Sequence, residues 1–590
     1  MQNPRSTGTH GGALIADVLA ARGVAHLFTL CGGHISPILV GAKARGIRVV
    51  DVRDEVSAVF AADAVARMTG IPGVAAVTAG PGVTNTVTAV KNAQMAQSPV
   101  VVFGGATGTL LKGRGSLQDI DQLSIMKPIT KWATTVRTLP SLAPTVEKAL
   151  DVAASGVPGP VFVEVPVDLL YPEDMVREMY LSESGVRNAD HLGAKALELF
   201  IKGHLYRQFH QPHLPIDVSL RDVKLPQVRS PRDKIGDAAA ALRRAQRPAL
   251  VVGSQALVNC RDAQAIAAAV ESIGAPVWLG GLARGLLGRH SDIQFRHKRS
   301  QALREADVVV VAGFPFDFRL KYGRAIGSKA TLIAANLSAH EMRKNRRADI
   351  AVQMNAGQFL IDLAAELGGA AGPWDEWLST LRDRERARDA EIAEGAKRPG
   401  DGGLVNPLDF FLQLEDKLAD DAVLVVDGGD FVATAAYILR PRGPLRWLDP
   451  GVFGTLGVGG GFAIGASLVY PQSEVWLIYG DGSCAYSLAE FDTYARHGLA
   501  PIAVIGTDGS WAQIAREQVP MLGDDVGTVL ARTAYHEVAR GYGGEGLLLT
   551  DPARIGDTLD EAKAIARSGR PVCVNVHIAR SDFREGSISM

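Results

Sequence analysis

The sequence predicts an α/β chain of three doubly wound parallel-sheet domains. Three observations carry this. At 590 residues the chain is too long for one hydrophobic core. Short β-branched runs alternate with amphipathic helical stretches, the mark of parallel sheets flanked by helices. The alternation is interrupted twice, which divides it into three.

The first domain is expected over 1–180, with strands in the runs 26–30, 47–52, 74–78 and 100–103. In residues 181–230 the pattern fails, and scattered histidines, Pro212, Pro215 and mixed charge predict a surface linker. The second domain, 231–368, opens with Ala249-Leu250-Val251-Val252-Gly253 and continues through 307–313 and 330–335. A second linker is expected over 369–405, carrying a charged helix-forming run at 375–397. The third domain, 406–590, begins at Val423-Leu424-Val425-Val426-Asp427 and has further strands at 475–479, 502–505 and 572–577. Its tail, rich in Ser, Gly and charge, reads either as a lid or as a frayed terminus.

Composition narrows the function. Hydrophobic residues make up 47% and charged residues 21%, as in ordinary globular proteins. Lys and Arg (62) balance Asp and Glu (63), so no global field favours nucleic acid or an anionic membrane, and neither is expected as a partner. Local groups must meet any anionic substrate. Cys31, Cys260, Cys484 and Cys573 form no CxxC pair, which argues against a disulfide framework or a zinc site and for a reducing compartment. Residues 1–12 contain no apolar leader core, and apolar runs such as 308–314 are far shorter than a membrane span, so a cytoplasmic protein is expected.

The most specific local signal is Gly480-Asp481-Gly482-Ser483, directly after the buried run 475–479. Its glycines allow a ligand close to the backbone, and Asp481 emerges at a strand's carboxyl end, where open α/β sheets bind ligands. A helix from residue 488 onward is expected to turn its amino end toward phosphates. A second strand ends in Gly506-Thr507-Asp508-Gly509-Ser510, and Asp508 lies 27 residues beyond Asp481. Two adjacent parallel strands joined by one helix need about that length, so both carboxylates can reach one hard cation such as Mg²⁺. An isolated GDG reads better as a strand-to-helix turn capped by Ser483; the paired spacing favours the metal.

GDGS followed by this second motif resembles the superfamily of acetolactate synthase, pyruvate decarboxylase and oxalyl-CoA decarboxylase, enzymes dependent on thiamine diphosphate (ThDP) and Mg²⁺. The resemblance implies the ThDP-binding fold with Pyr, central and PP domains in chain order. It assigns Asp481, the Asp508 side chain and the Ser510 carbonyl to Mg²⁺, with Gly482, Ser483, Gly429 and Asp430 at the diphosphate. One departure stands: the family pattern has Asn-Asn where this chain has Thr507-Asp508.

In the first domain, Val52-Arg53-Asp54-Glu55 resembles the family's RHE segment and makes Glu55 the carboxylate that bonds N1′ of the aminopyrimidine. On its own, Glu55 would read as a helix-start residue favoured by the macrodipole. Gly80-Pro81-Gly82-Val83-Thr84-Asn85 is similar to the GPGxTN loop beside the cofactor, which brings in Gly80 and Asn85. Gly115-Ser116-Leu117-Gln118-Asp119 resembles the loop whose Gln faces the reacting atoms, although Gln118 also reads as an ordinary surface amide. In Gly454-Thr455-Leu456-Gly457 the resemblance gives Gly454 a carbonyl for the 4′-amino group and Leu456 the apolar wedge, where core packing is the alternative.

His34, after strand 26–30, is a candidate proton relay to substrate, with a structural histidine as its alternative. Glu490, nine residues past Asp481, is a candidate for the substrate hydroxyl proton, against a plain helical Glu. Because Glu55 and the metal motif fall in different domains, the resemblance implies active sites at subunit interfaces of a homodimer or homotetramer.

Segments 425–446, 447–461, 511–520 and 582–587 look most like the 2-hydroxyacyl-CoA lyases. These cleave a 2-hydroxyacyl-CoA to formyl-CoA and an aldehyde or ketone, reversibly. An acyl-CoA substrate is therefore expected, with Glu490, Gln118 and His34, in that order, as candidates for the hydroxyl proton. ADP is expected in the central domain ahead of FAD, and Arg284, Arg319, Lys321 and Arg324 are the candidate contacts to the ADP part, solvated basic faces being the alternative. The competing functions are an acetolactate synthase catalytic subunit condensing 2-ketoacids with FAD, and a non-catalytic nucleotide-binding protein. Neither the acyl chain nor the physiological direction is legible.

Overall fold

The computed structural model describes residues 10–185, 192–210, 232–369 and 372–584. The chain divides into two compact units, residues 1–66 with 71–224, and residues 67–70 with 225–590.

The first unit holds a parallel sheet of β1 (His26–Leu30), β2 (Arg48–Asp51), β3 (Gly73–Val77), β4 (Val100–Ala106), β5 (Trp132–Thr135) and β6 (Val161–Pro166), ordered β2-β1-β3-β4-β6-β5. Strands β3, β4 and β6 are buried at every position, because helices cover both faces of a parallel sheet and leave no polar side to its interior strands. Val101, Phe103 and Val163 share a core with Leu142, Val146 and Leu150 of the helix Leu139–Ala154.

Part of the expected first linker belongs to this unit. The helix Leu192–Phe209 sends Ile201, Leu205 and Phe209 into the same core. Its Gln208 amide donates to the buried Asp168 carboxylate (3.2 Å) and to the Thr109 hydroxyl (2.8 Å). Pro212 and Pro215 lie outside the described residues.

The second unit holds two parallel sheets. The first is β7 (Pro248–Val252), β8 (Val277–Leu279), β9 (Val308–Ala312), β10 (Thr331–Ala335) and β11 (Ile350–Val352), ordered β11-β10-β9-β7-β8. The second is β12 (Val423–Val426), β13 (Trp447–Leu448), β14 (Val475–Gly480), β15 (Ile502–Thr507), β16 (Glu545–Leu549) and β17 (Val572–His577), ordered β13-β12-β14-β15-β17-β16. Strand for strand, this connectivity repeats that of the first unit's sheet. Three doubly wound sheets are therefore present, as the sequence predicts.

The expected second linker is a structural element. Its helix Asp375–Ala396 packs Trp377, Leu378 and Leu381 into the core of the middle sheet and Ile392 into the core of the last. The indole N–H groups of Trp374 and Trp377 donate to the carbonyls of Ala245 and Pro248, both at 2.9 Å. Among the described residues no helix is long and apolar enough to cross a membrane.

Candidate active site

The last sheet changes winding direction between β12 and β14, and a crevice for ligands opens outside the carboxyl ends of strands at such a point. Asp427-Gly428-Gly429-Asp430 follows β12 and Asp481 follows β14. Ser483 joins the two loops: its hydroxyl donates to the Gly428 carbonyl at 3.0 Å. The GDGS segment winds at once into the short helix Asp481–Cys484, and the next helix starts at Glu490 instead of 488.

Strands β14 and β15 are parallel neighbours with Gly480 opposite Gly506, so Asp481 and Asp508 leave adjacent strand ends. This is the placement their spacing predicted. Asp481 is 2% exposed; one carboxylate oxygen accepts from the Gly509 amide and the other from the Gly482 amide, each at 2.8 Å. Asp508 accepts from the Ser510 amide at 3.0 Å. Burial raises the pKa of both carboxyls, and burial with the negative charge of Asp481 pushes Asp508 up to about 7. Among the described residues no Lys or Arg forms an ion pair with either. A buried and a half-buried carboxylate at adjacent strand ends make a pair of hard-oxygen donors, and Mg²⁺ fits such a set. A cavity of 1170 Å³ opens beside Asp508, bounded in part by Asp430, Phe431, Arg516 and Arg580.

The loop after β13 is fixed from below by Asp427, which the motifs had not singled out. Its buried carboxylate accepts from the amides of Gly457 (3.1 Å) and Gly459 (2.7 Å), and burial pushes its pKa up to about 7. Leu456 therefore lies over the β12 loop: a Cβ added to Gly428 would stand 2.3 Å from Leu456 Cδ2. Gly454 caps the preceding helical turn with positive φ and is exposed. Gly429 starts the helix Asp430–Ile438 with φ 112°, and Asp430 pairs with Arg516 of the helix Ala512–Leu522.

In the first unit the reversal falls between β1 and β3, and the sequence-selected residues collect there too. His34 follows β1; its Nδ1 lies 3.2 Å from the hydroxyl of Thr78, which follows β3. Burial holds the His34 pKa below its usual value, so the ring is neutral at neutral pH. Glu55 opens the helix Glu55–Thr69, is 5% exposed, and accepts from the Asn85 side-chain amide at 3.0 Å. The Gly80–Asn85 loop and the Gln118 loop touch: a Cβ added to Gly80 would stand 2.8 Å from the Gln118 carbonyl. Gln118 sits at φ 63°, a strained backbone for a side-chain-bearing residue. Gln122, missed in the sequence, braces this corner by accepting from the Gly80 amide (3.2 Å) and donating to the Gly105 carbonyl (2.8 Å).

Glu490, the candidate for the substrate hydroxyl proton, opens the helix Glu490–His497. It is 1% exposed, accepts from the Thr493 hydroxyl at 2.6 Å, and its Cγ lies 3.1 Å from where Gly460 would carry a Cβ, inside the packing of the last domain. The basic candidates also separate. Arg284 donates to the Ala436 carbonyl at 2.9 Å and lines a cleft. Arg319 is tied to Asp317 at 2.7 Å, while Lys321 and Arg324 are exposed on the segment that follows.

Comparison with known proteins agrees with this layout. Family profiles described as the thiamine pyrophosphate enzyme N-terminal TPP binding domain, central domain and C-terminal TPP binding domain match residues 9–125, 235–363 and 427–576. The chain is 48% identical over 599 residues to 2-hydroxyacyl-CoA lyase 2 of Danio rerio, covering 100% of this chain and 94% of that protein. It is 48% identical over 587 residues to the human protein of that name, covering 98% and 92%. The acetolactate synthase large subunit IlvG of Mycobacterium tuberculosis is 35% identical over 570 residues, covering 96% and 95%. With paired sheets of one topology, candidate site residues at both winding reversals and family matches in all three domains, the chain belongs to the thiamine pyrophosphate enzymes.

Proposed function

We propose that the protein is a ThDP- and Mg²⁺-dependent carbon–carbon lyase that splits a 2-hydroxyacyl-CoA into formyl-CoA and an aldehyde or ketone, and joins them in reverse. One observation carries the substrate class: identity near 48% along the whole chain to proteins named 2-hydroxyacyl-CoA lyase 2, against 35% to an acetolactate synthase.

The residues divide the work by domain. Asp481, Asp508 and the Ser510 carbonyl hold Mg²⁺, and Gly482, Ser483, Gly429 and Asp430 line the diphosphate. Leu456 and the Gly454 carbonyl brace the cofactor's middle, on a loop anchored by Asp427. Glu55, little exposed and steadied by Asn85, exchanges a proton with N1′ of the aminopyrimidine. Bound ThDP supplies a carbon nucleophile and an electron sink for the acyl unit.

His34 is neutral and lies at a strand end, so it accepts the substrate hydroxyl proton at its free ring nitrogen while Thr78 fixes the other. Gln118 orients the substrate carbonyl. Glu490, packed against Gly460 and bonded to Thr493, positions the helix Val458–Val469. The assembly is a homodimer or homotetramer in which Glu55 of one copy serves the cofactor held by the next.

The test is a coupled assay with ThDP, Mg²⁺, formyl-CoA and a series of aldehydes and ketones. Formation of 2-hydroxyacyl-CoA is the expected outcome. Acetolactate from pyruvate, with a flavin absorbance band on the purified protein, would assign the chain to the ketoacid-condensing branch instead.

A further inference from the structure

The loop 107–121, which leaves β4 and carries Gln118, has no helix or strand of its own. Gly113, Gly115 and Gln118 within it have left-handed backbones, at φ 75°, 83° and 63°. Such a shape persists only where surrounding groups fix it. Two carboxylates, on and just past the neighbouring strand β6, supply the grip. Glu164, fully buried, takes the Lys112 ammonium at 2.6 and 3.0 Å. Asp168, 2% exposed, takes both the amide and the hydroxyl of Thr109, at 3.1 and 2.6 Å.

The second grip is a saturated hub. A hydroxyl has one proton to give and two lone pairs to fill. Thr109 gives its proton to Asp168, so the two groups that reach its oxygen must donate: the Gln208 amide and His204 Nε2, each at 2.8 Å. His204 is therefore the Nε2–H tautomer, and burial keeps its ring neutral by lowering the pKa. The Tyr180 hydroxyl donates to Asp168 at 2.7 Å; burial and then the Asp168 charge raise its pKa, so the phenol keeps that proton. Among the described residues no Lys or Arg pairs with Asp168, so these donors alone hold the carboxylate in place. Tyr180 belongs to the helix Glu173–Glu183, and His204 and Gln208 to the helix Leu192–Phe209, so both helices meet the loop at one side chain. Ile201, Leu205 and Phe209 already dock the second helix by apolar packing. What the polar hub adds is register, because a shift of Thr109 breaks several bonds together.

We propose that His204 and Gln208 are positioning residues: with Asp168 they latch Thr109 and thereby hold Gln118 where it meets substrate. The proposal rests on the role given to Gln118 above. Misplacing an orienting group by about 1 Å can cost about a hundredfold in rate.

The test uses the ThDP- and Mg²⁺-loaded full chain carrying Gln208→Met or, separately, His204→Phe, each of which replaces the donor with an apolar group of similar shape. Amide hydrogen exchange across residues 107–121, read by mass spectrometry, is expected to quicken about tenfold or more in both, with exchange in β3 unchanged. In the lyase assay kcat is expected to fall about tenfold while KM stays within about twofold. In a Gln118→Gly background the same substitutions are expected to change kcat less than about twofold, because the side chain they position is gone. Loop exchange at the wild-type rate in both variants overturns the proposal, and so does a loss of kcat that persists in full without the Gln118 side chain. Quickened exchange together with full turnover in Gln118→Gly alone refutes the role of Gln118 and leaves the latch on the loop standing.

Discussion

Glu55 is a buried carboxylate and Asp508 a half-buried one, in settings that ask different things of them. Glu55 accepts from one side-chain amide, that of Asn85, and the proposed function makes it a proton-exchanging group. Asp508 faces the charge of Asp481 and has a raised pKa of about 7, against roughly 3.9 for a free Asp side chain. A raised carboxyl pKa means that the metal-free fold binds a proton the unfolded chain gives up. Its contribution to stability is therefore full below about pH 4 and is lost as pH rises through about 7. Melting curves in EDTA should show wild type losing more stability between pH 5 and 8 than Asp508→Asn, with Mg²⁺ abolishing the difference; Asp427 contributes a slope of the same sign in both proteins. Equal slopes would mean that Asp508 does not meet Asp481. Gln118 gives a second residue-level prediction. Gln118→Gly relieves a left-handed backbone by ~1 kcal/mol, so its denaturation midpoint should hold or rise while turnover falls; undiminished turnover would reduce Gln118 to a surface amide. The placement of Asp481 and Asp508 at adjacent strand ends was legible because motif and strand end coincide. Asp427 and Gln122 were not, since each acts on glycine amides 30 to 42 residues away and neither belongs to a local pattern.

At the scale of elements, every interior strand except β6 was legible and edges mostly were not. Residues 74–77, 100–103, 308–312 and 475–479 are unbroken apolar runs because helices cover both faces of those strands. Trp132–Thr135, Val277–Leu279, Ile350–Val352, Trp447–Leu448 and Glu545–Leu549 are all sheet edges, short or only partly buried, so hydrophobicity gives them no signature. The helix Asp375–Ala396 was legible as a helix but hidden as a joint, because its charged face dominates the composition while a few apolar residues enter two cores. Trp377→Ala removes a buried indole and its bond to Pro248, and should cost ~3–5 kcal/mol in urea unfolding. A cost under ~1 kcal/mol would return the segment to linker status.

At the scale of the molecule, the first and last sheets share one strand order, and each carries its candidate site residues at its winding reversal. The proposed function gives the first of these domains proton chemistry and the last metal and phosphate binding. Mixing inactive Glu55→Gln and Asp481→Asn chains should restore about a quarter of wild-type activity if each site draws on two copies, because one of the two sites in a mixed dimer is then intact. No recovery after subunit exchange would place both residues in sites of a single copy. The most direct measurement of the account is hydrogen–deuterium exchange at C2 of bound thiamine diphosphate in wild type and Glu55→Gln, with cofactor affinity measured alongside. The account predicts exchange slowed at least ~10²-fold in the variant with affinity nearly unchanged. Exchange at the wild-type rate in Glu55→Gln would contradict it.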